Sequence, residues 1–165
     1  MSRSQYVGYR DQGFWAYDVS LAILLKHLVD VADRQLAVGN VGWLREAVDW
    51  WRVVASINVY GFEIEESWSA DQVKPFLQLA DEAVAVISRR PAFTADEVAG
   101  WSLLDDMHLD TRGELIVAIR PIVTLGRAVI HLVDGSLPPS PPGTWWLFGT
   151  GKEGDVIRQR DADRG

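Results

Sequence analysis

The chain has 165 residues, no cysteine and a formal net charge of −7, with 48% hydrophobic and 24% charged residues. This length suits one domain with a single core, and the hydrophobic fraction excludes disorder over most of the chain. Without cysteine there is no disulfide, thiolate zinc site or cysteine nucleophile. No apolar run approaches the ~20 residues that cross a bilayer, and the start lacks a signal-peptide block. We therefore expect a cytoplasmic protein with no membrane partner.

The first third of the chain predicts an irregular segment and then two helices. Tyr6 to Trp15 mixes glycines with aromatic residues and indicates irregular structure. Apolar residues then recur with helical spacing from about Phe14 to Leu36. Asn40 is positioned to cap the next helix, which the pattern places at about Val41 to Val59.

This second helix carries two apolar stripes side by side. Its polar, solvent-exposed face is marked by Arg45, Asp49, Arg52 and Ser56. One stripe contains Trp43, Ala47, Trp50, Val54 and Ile57, and the other contains Leu44, Val48, Trp51 and Ala55. So wide an apolar arc predicts contact with two neighbours, or with one neighbour and a partner.

Three capping boxes predict helix starts in the middle of the chain. Ser69–Gln72 and Thr94–Glu97 fit the pattern well, since the first hydroxyl can accept one free backbone N–H and the last side chain another. The helix after Ser69 should run to about Ser88, with a kink or restart at Pro75. Thr111–Glu114 is a weaker third box.

The end of the chain predicts further helix and one hairpin. Residues 115–119 fit helix or buried strand, and we favour helix, kinked or restarted at Pro121. Residues 122–133 are nearly all apolar and predict the central helix, with Gly135 as its end. After a proline-rich linker, two strand-like runs flank a glycine-rich turn at 149–154 and predict a β-hairpin.

These elements predict an all-α fold, an irregular bundle of four to six helices with a small C-terminal β-hairpin. Residues 1–137 would form the helical domain. Residues 138–165 would add the Pro-rich linker, the hairpin acting as a lid, and a loose tail from Arg160, packed on the same domain.

The negative charge is concentrated in one region. Residues 61–110 hold eleven acidic and three basic side chains, a net charge of −8, whereas residues 1–60 are neutral and residues 111–165 carry +1. The densest part surrounds Trp68 with four acids, Glu63, Glu65, Glu66 and Asp71. Such a surface repels phosphate backbones and attracts basic proteins; acids can also serve solubility alone.

We therefore expect a non-enzymatic interaction module whose partner-binding residues are Glu63, Glu65, Glu66, Trp68 and Asp71. A concrete version is an immunity- or antitoxin-like inhibitor that masks a basic toxin, with carboxylates in place of phosphates and a buried aromatic as a hot spot. This interpretation involves no cofactor, no metal and no direct contact with nucleic acid.

The alternative is a helical-bundle enzyme or a small-molecule- or metal-binding protein with a pocket between helices. His-Leu-Val-Asp occurs at His27–Asp30 and at His131–Asp134, and two such pairs could converge on a metal. We place His27 on a polar face and His131, with Arg127, on an apolar helix. The aromatic run Phe14–Asp18 could line a pocket for a cation. Surplus tryptophan also allows a homo-oligomer. The sequence contains no recognisable catalytic motif.

Overall fold

The computed structural model describes residues 4–39, 41–57 and 61–159. Within these ranges the chain forms five helices and nine strands. The helices are α1 (Asp18–Leu36), α2 (Gly42–Ile57), α3 (Ala70–Ser88), α4 (Ala95–Ala99) and α5 (Ile119–Asp134). The strands are β1 (Ser4–Tyr9), β2 (Gln12–Tyr17), β3 (Phe62–Glu63), β4 (Ala92–Thr94), β5 (Ser102–Leu104), β6 (Met107–His108), β7 (Ile116–Ala118), β8 (Thr144–Phe148) and β9 (Asp155–Arg158).

A mixed five-stranded sheet, in the order β3-β1-β2-β8-β9, is the central element that the sequence prediction missed. The β1–β2 and β8–β9 pairs are antiparallel, while β3 runs parallel to β1 and β8 runs parallel to β2. Two small two-stranded sheets, β4–β7 and β5–β6, complete the described strands. The protein is therefore α/β, and the all-α prediction is wrong.

The segment predicted to be irregular forms the β1–β2 hairpin because its glycines make room for an aromatic ring. Tyr6 lies across both strands, and a Cβ on Gly8 would come within 2.7 Å of Tyr6 Cε1. A Cβ on Gly13 would overlap the Tyr6 hydroxyl. Aromatic rings commonly cover strand glycines in this way. Glycine here allows close approach and does not break the strand.

Helix α1, and not the helix over residues 122–133, occupies the centre. Thirteen of its 19 residues are buried, against seven of 16 in α5. It contacts α2, α3 and α5, and it also contacts β1 and β2. The inner sheet face, with Val7 and Phe14 fully buried, belongs to the same core. A helix covered by so many elements cannot keep a wide polar face.

The third capping box and the helix predicted after it are also wrong. Thr111 to Glu114 form a turn in which Arg112 has φ 51° and Gly113 has φ 84°, both left-handed and incompatible with a helix start. The next residues pair as β7 with β4, with Val117 opposite Phe93. Helix α5 begins at Ile119, so Pro121 falls in its first turn, where no backbone donor is required.

Several local signals do correspond to the observed elements. The Gln72 side chain accepts a hydrogen bond from the Ser69 backbone, and Thr94 accepts one from Glu97 N–H. Helix α3 continues through Pro75 without a restart. Gly135 ends α5 with φ 82°. The predicted Asn40 cap, the end of α2 at Val59 and the tail from Arg160 lie outside the described residues.

The C-terminal hairpin is present as β8 and β9, but it extends the main sheet and is no separate lid. Its first strand pairs with β2, which places Leu147 beside Trp15. Neighbouring tryptophans face opposite sides, as expected for a strand. Trp146 packs on the core beside Phe148, whereas the Trp145 ring meets the Tyr6 ring edge-on at 5.9 Å.

Candidate partner-binding cleft

A cleft of about 1020 Å³ lies between α2, β1 and residues 61–68. We call it the acidic cleft. Its described lining includes four carboxylates, Glu46, Glu63, Glu65 and Glu66, and a single cation, Arg10, for a net charge of −3 (four acids less one base). Its aromatic lining residues are Tyr6, Trp43, Trp50, Trp51 and Trp68. The cleft thus combines negative charge with aromatic surface.

The two apolar stripes of α2 have different uses in the structure. The stripe containing Leu44, Val48 and Trp51 is buried in the core, and Trp51 is only 3% exposed. The stripe containing Trp43, Ala47 and Trp50 lines the acidic cleft, and Trp50 is 43% exposed. The first stripe therefore serves the core, whereas the second is divided, with Val54 buried in the core. Trp43 and Ala47 pack beside the core and also line the cleft, which Trp50 lines as well.

The acidic side of the cleft is held by backbone pairing with the sheet. Strand β3 places Glu63 beside Gly8 of β1, and the Ile64 N–H donates to the Gly8 carbonyl at 2.8 Å. Phe62 and Ile64 are buried, and the extended chain directs the alternate side chains Glu63 and Glu65 to the exposed side. The short edge strand therefore fixes where these carboxylates emerge.

Local hydrogen bonds hold Glu65 in its charged form. Its Oε1 accepts from the Ser67 backbone N–H at 3.1 Å and from the Ser67 hydroxyl at 2.8 Å. These bonds lower the pKa of Glu65 below its usual value. Opposite, burial raises the pKa of Tyr6, and the nearby Glu63 charge raises it further. Both shifts favour a charged Glu65 and a neutral Tyr6 phenol near neutral pH.

Trp68 forms part of the cleft floor and is only 8% exposed. Its ring meets the Trp43 ring at 5.2 Å and the Phe76 ring at 5.2 Å. Most of this indole is thus committed to the fold, and little of it is open to a partner. Asp71 is exposed in the first turn of α3 but does not line the cleft. Four of the five predicted partner-binding residues therefore come together here.

Sequence reasoning missed the contribution of α2 to this site. Trp43, Glu46, Ala47 and Trp50 are spaced i, i+3, i+4 and i+7, which places them on one helix face. The two apolar stripes were the signal in the sequence that could have revealed it. One neighbouring element covers one stripe, so a second stripe indicates a second contact surface on the helix. Only the packing of α2 shows which stripe that is.

The four cleft carboxylates make no ion pair with any other described residue. Elsewhere in the described ranges seven acids pair with lysine or arginine side chains of the chain itself. Arg10, the one cation in the lining, lies over the Tyr9 ring at 5.1 Å. The negative charge of the cleft is therefore open to a cation from outside the chain.

The two His-Leu-Val-Asp pairs occupy environments opposite to those predicted. His27 is buried beside the Phe93 and Trp101 rings, and its Nδ1 lies 2.8 Å from the Ile23 carbonyl. His131 is exposed, with Nδ1 2.7 Å from the Ser136 hydroxyl. In the described part of the chain, no group of three or more His, Asp or Glu could hold a metal ion. The pairs do not converge.

The aromatic run at Phe14–Asp18 does not form a pocket for a cation from outside. Phe14 and Asp18 are both fully buried. Asp18 Oδ2 instead accepts from Nε of Arg112 at 2.5 Å, and this bond raises the pKa of the guanidinium. Tyr17 donates to Glu114 on the same turn. The predicted cation site is thus filled by an arginine of the chain itself.

These features define a mixed α/β protein with an acidic, aromatic-lined cleft at one edge of its main sheet. Comparison with protein families, with curated proteins and with solved structures finds no match to this chain. Among the described residues, no helix combines the length and apolar character needed to cross a membrane.

Proposed function

We propose that this protein is a non-enzymatic interaction module that binds a basic protein through the acidic cleft. The observation that carries the proposal is that four carboxylates without a described ion-pair partner line the same cleft as Trp43 and Trp50 of α2. Unpaired negative charge speeds encounter with a basic partner. Tryptophan beside it supplies the kind of contact that dominates binding energy.

The concrete form of the proposal is an immunity- or antitoxin-like inhibitor acting in the cytoplasm. A toxin that binds nucleic acid presents a basic surface to phosphates, and Glu63, Glu65 and Glu66 would occupy that surface in their place. Asp71, outside the cleft but exposed on α3, would extend the same negative field. Inhibition then follows from masking and requires no catalytic group.

The test compares the wild-type chain with the variant Glu63→Lys/Glu65→Lys/Glu66→Lys in capture from a lysate of the source cells. A matched control, Asp81→Lys/Asp96→Lys/Asp105→Lys, reverses three exposed acids outside the cleft. We expect the wild type and the control to retain a basic protein that the cleft variant loses.

The captured protein is then purified and its association rate is measured at two salt concentrations. We expect the rate constant for the wild type to fall steeply with added salt. Equal capture by the cleft variant, or an association rate indifferent to salt, would remove the acidic cleft as the binding site.

A further inference from the structure

We infer that the acidic cleft selects arginine over lysine, and that the arginine side chain enters a notch on α2 between Trp43 and Trp50. This inference rests on the proposed function and names the group that the cleft recognises. The notch is the depression over Ala47, bounded by the two indoles and by Glu46. All four residues line the cleft.

The spacing of these residues creates the notch. Residues at i, i+3, i+4 and i+7 surround one hole on a helix surface, the type of hole that receives a side chain from a packed partner. One of the four residues is Ala47, and its small methyl group leaves the hole open between the longer side chains of Trp43, Glu46 and Trp50. Trp43 and Trp50 are seven residues apart, a rise of about 10 Å along the helix. A side chain can therefore enter between them.

The chemistry of the walls favours a cation. Glu46 is exposed and makes no ion pair with a described residue, and it lies on the same face as the two indoles. The chain itself uses an indole and a carboxylate to hold a cation at another place. There Lys26 Nζ lies 4.5 Å from the Trp101 ring centre and bonds to Asp30.

Arginine fits this notch better than lysine for two reasons. A guanidinium is planar and weakly hydrated, so it stacks on an indole face at a smaller desolvation cost than an ammonium. It also carries five donors, which can serve Glu46 and a carboxylate across the cleft such as Glu63 together. The ammonium group of lysine is compact and strongly hydrated, so it contacts one carboxylate well and retains its bound water.

The experiment titrates the full 165-residue chain with acetylated, amidated hexa-arginine and hexa-lysine peptides by calorimetry. Indole N–H resonances, assigned with Trp43→Phe and Trp50→Phe, report where the peptide binds. We expect the arginine peptide to bind at least about five-fold more tightly. We also expect it to shift the Trp43 and Trp50 resonances.

Two variants locate the notch. Ala47→Leu fills it, and Glu46→Gln removes its charge with almost no change of shape; both should abolish the preference for arginine. The matched controls Ala70→Leu and Asp81→Asn alter exposed α3 positions outside the cleft and should preserve it. If Ala47→Leu does not fold, the exposed Glu46→Gln variant alone tests whether the preference for arginine depends on the notch.

Equal affinity for the two peptides would overturn the inference while leaving the proposed function intact, since charge alone would then explain binding. Absence of binding by either peptide, or unshifted Trp43 and Trp50 resonances, would also overturn it. A self-association of the chain that Ala47→Leu abolishes would assign the notch to a second copy and refute the arginine assignment. Failure of the proposed function appears separately, as equal capture of the partner by the cleft variant or as an association rate indifferent to salt.

Discussion

Asp18 and the carboxylates of the acidic cleft show two opposite ways in which this chain holds negative charge. Asp18 is fully buried and is paired with Arg112, which lies 94 positions further along the chain. Glu46, Glu63 and Glu66 are exposed and have no described ion-pair partner. A buried charge must be compensated inside the fold, whereas an exposed charge need not be. The stability of the fold therefore depends on the first group, whereas the second group remains available to the basic partner that we propose.

Helix α2 offers the largest contrast between the core and the acidic cleft, because the adjacent residues Trp51 and Trp50 lie in the core and in the cleft lining respectively. Trp51→Ala removes a buried indole that contacts the Phe62 and Phe76 rings and should cost about 3–5 kcal/mol of unfolding free energy. Trp50→Ala, at a side chain that is 43% exposed, should cost less than about 1 kcal/mol. Urea denaturation measures both. Similar costs would mean that the two stripes do not divide as described.

Removal of Arg112 breaks the buried pair. Arg112→Ala leaves the Asp18 carboxylate buried without its partner, which should cost about 2–3 kcal/mol, the lower end for such a loss because the arginine side chain is 22% exposed. Asp18→Asn in the same background should restore part of the stability, since it removes the charge. Arg127→Ala, an exposed position on α5, serves as the control. A loss no greater than in that control would contradict the argument.

The buried His27 should make the free energy of unfolding fall in mild acid. Burial lowers the pKa of His27 below its ordinary value; Lys26 and Arg90 act in the same direction, against the Ile23 carbonyl and Asp30. The unfolded chain therefore binds a proton near pH 6.5 that the folded chain resists. Stability is full above that pH and falls as pH drops from the unfolded pKa toward the folded one.

The measurement for His27 is unfolding free energy between pH 8 and pH 5. His27→Gln should flatten the dependence relative to the wild type, whatever its own stability. His131→Gln keeps the buried imidazole and should keep the wild-type slope. An unchanged slope in the His27 variant would show that this ring does not contribute.

The smallest effect is expected in the acidic cleft itself. Glu63→Gln/Glu65→Gln/Glu66→Gln removes three exposed charges that stabilise no ion pair, so the unfolding free energy should change by no more than about 0.5 kcal/mol. The same variant should lose the salt-dependent binding of a basic partner. A large destabilisation would mean that these carboxylates serve the fold.

Part of the fold could be predicted because its signals are local. The boundary of α1 at Leu36, the boxes at Ser69 and Thr94 and the end of α5 at Gly135 each depend on residues within a few positions. Strand β7 could not be predicted, because its three residues pair with β4 more than twenty positions earlier. Short apolar runs do not distinguish helix from strand until a partner is known.

The candidate site was predictable to a similar degree. The cluster at Glu63 to Glu66 is contiguous and visible in the sequence, and the two apolar stripes of α2 indicate one surface more than a single neighbour covers. Which α2 side chains reach the cleft depends on how α2 packs against α1 in the folded chain, where Leu44 and Val48 are buried. Asp71 is close to this cluster in sequence, but the helix start at Ala70 carries it out of the cleft.

The sequence by itself determined the helical periods, the caps and the concentration of acid in residues 61–110, because each arises from neighbours along the chain. The tertiary structure decided the five-stranded sheet, the burial of α1 and the meeting of α2 with the acidic segment. These features join residues far apart, such as Ala16 with Phe148 and Asp18 with Arg112. The free energy that stabilises these features comes from the burial of apolar surface and from strand and ion pairing, which form only when distant parts of the chain pack together.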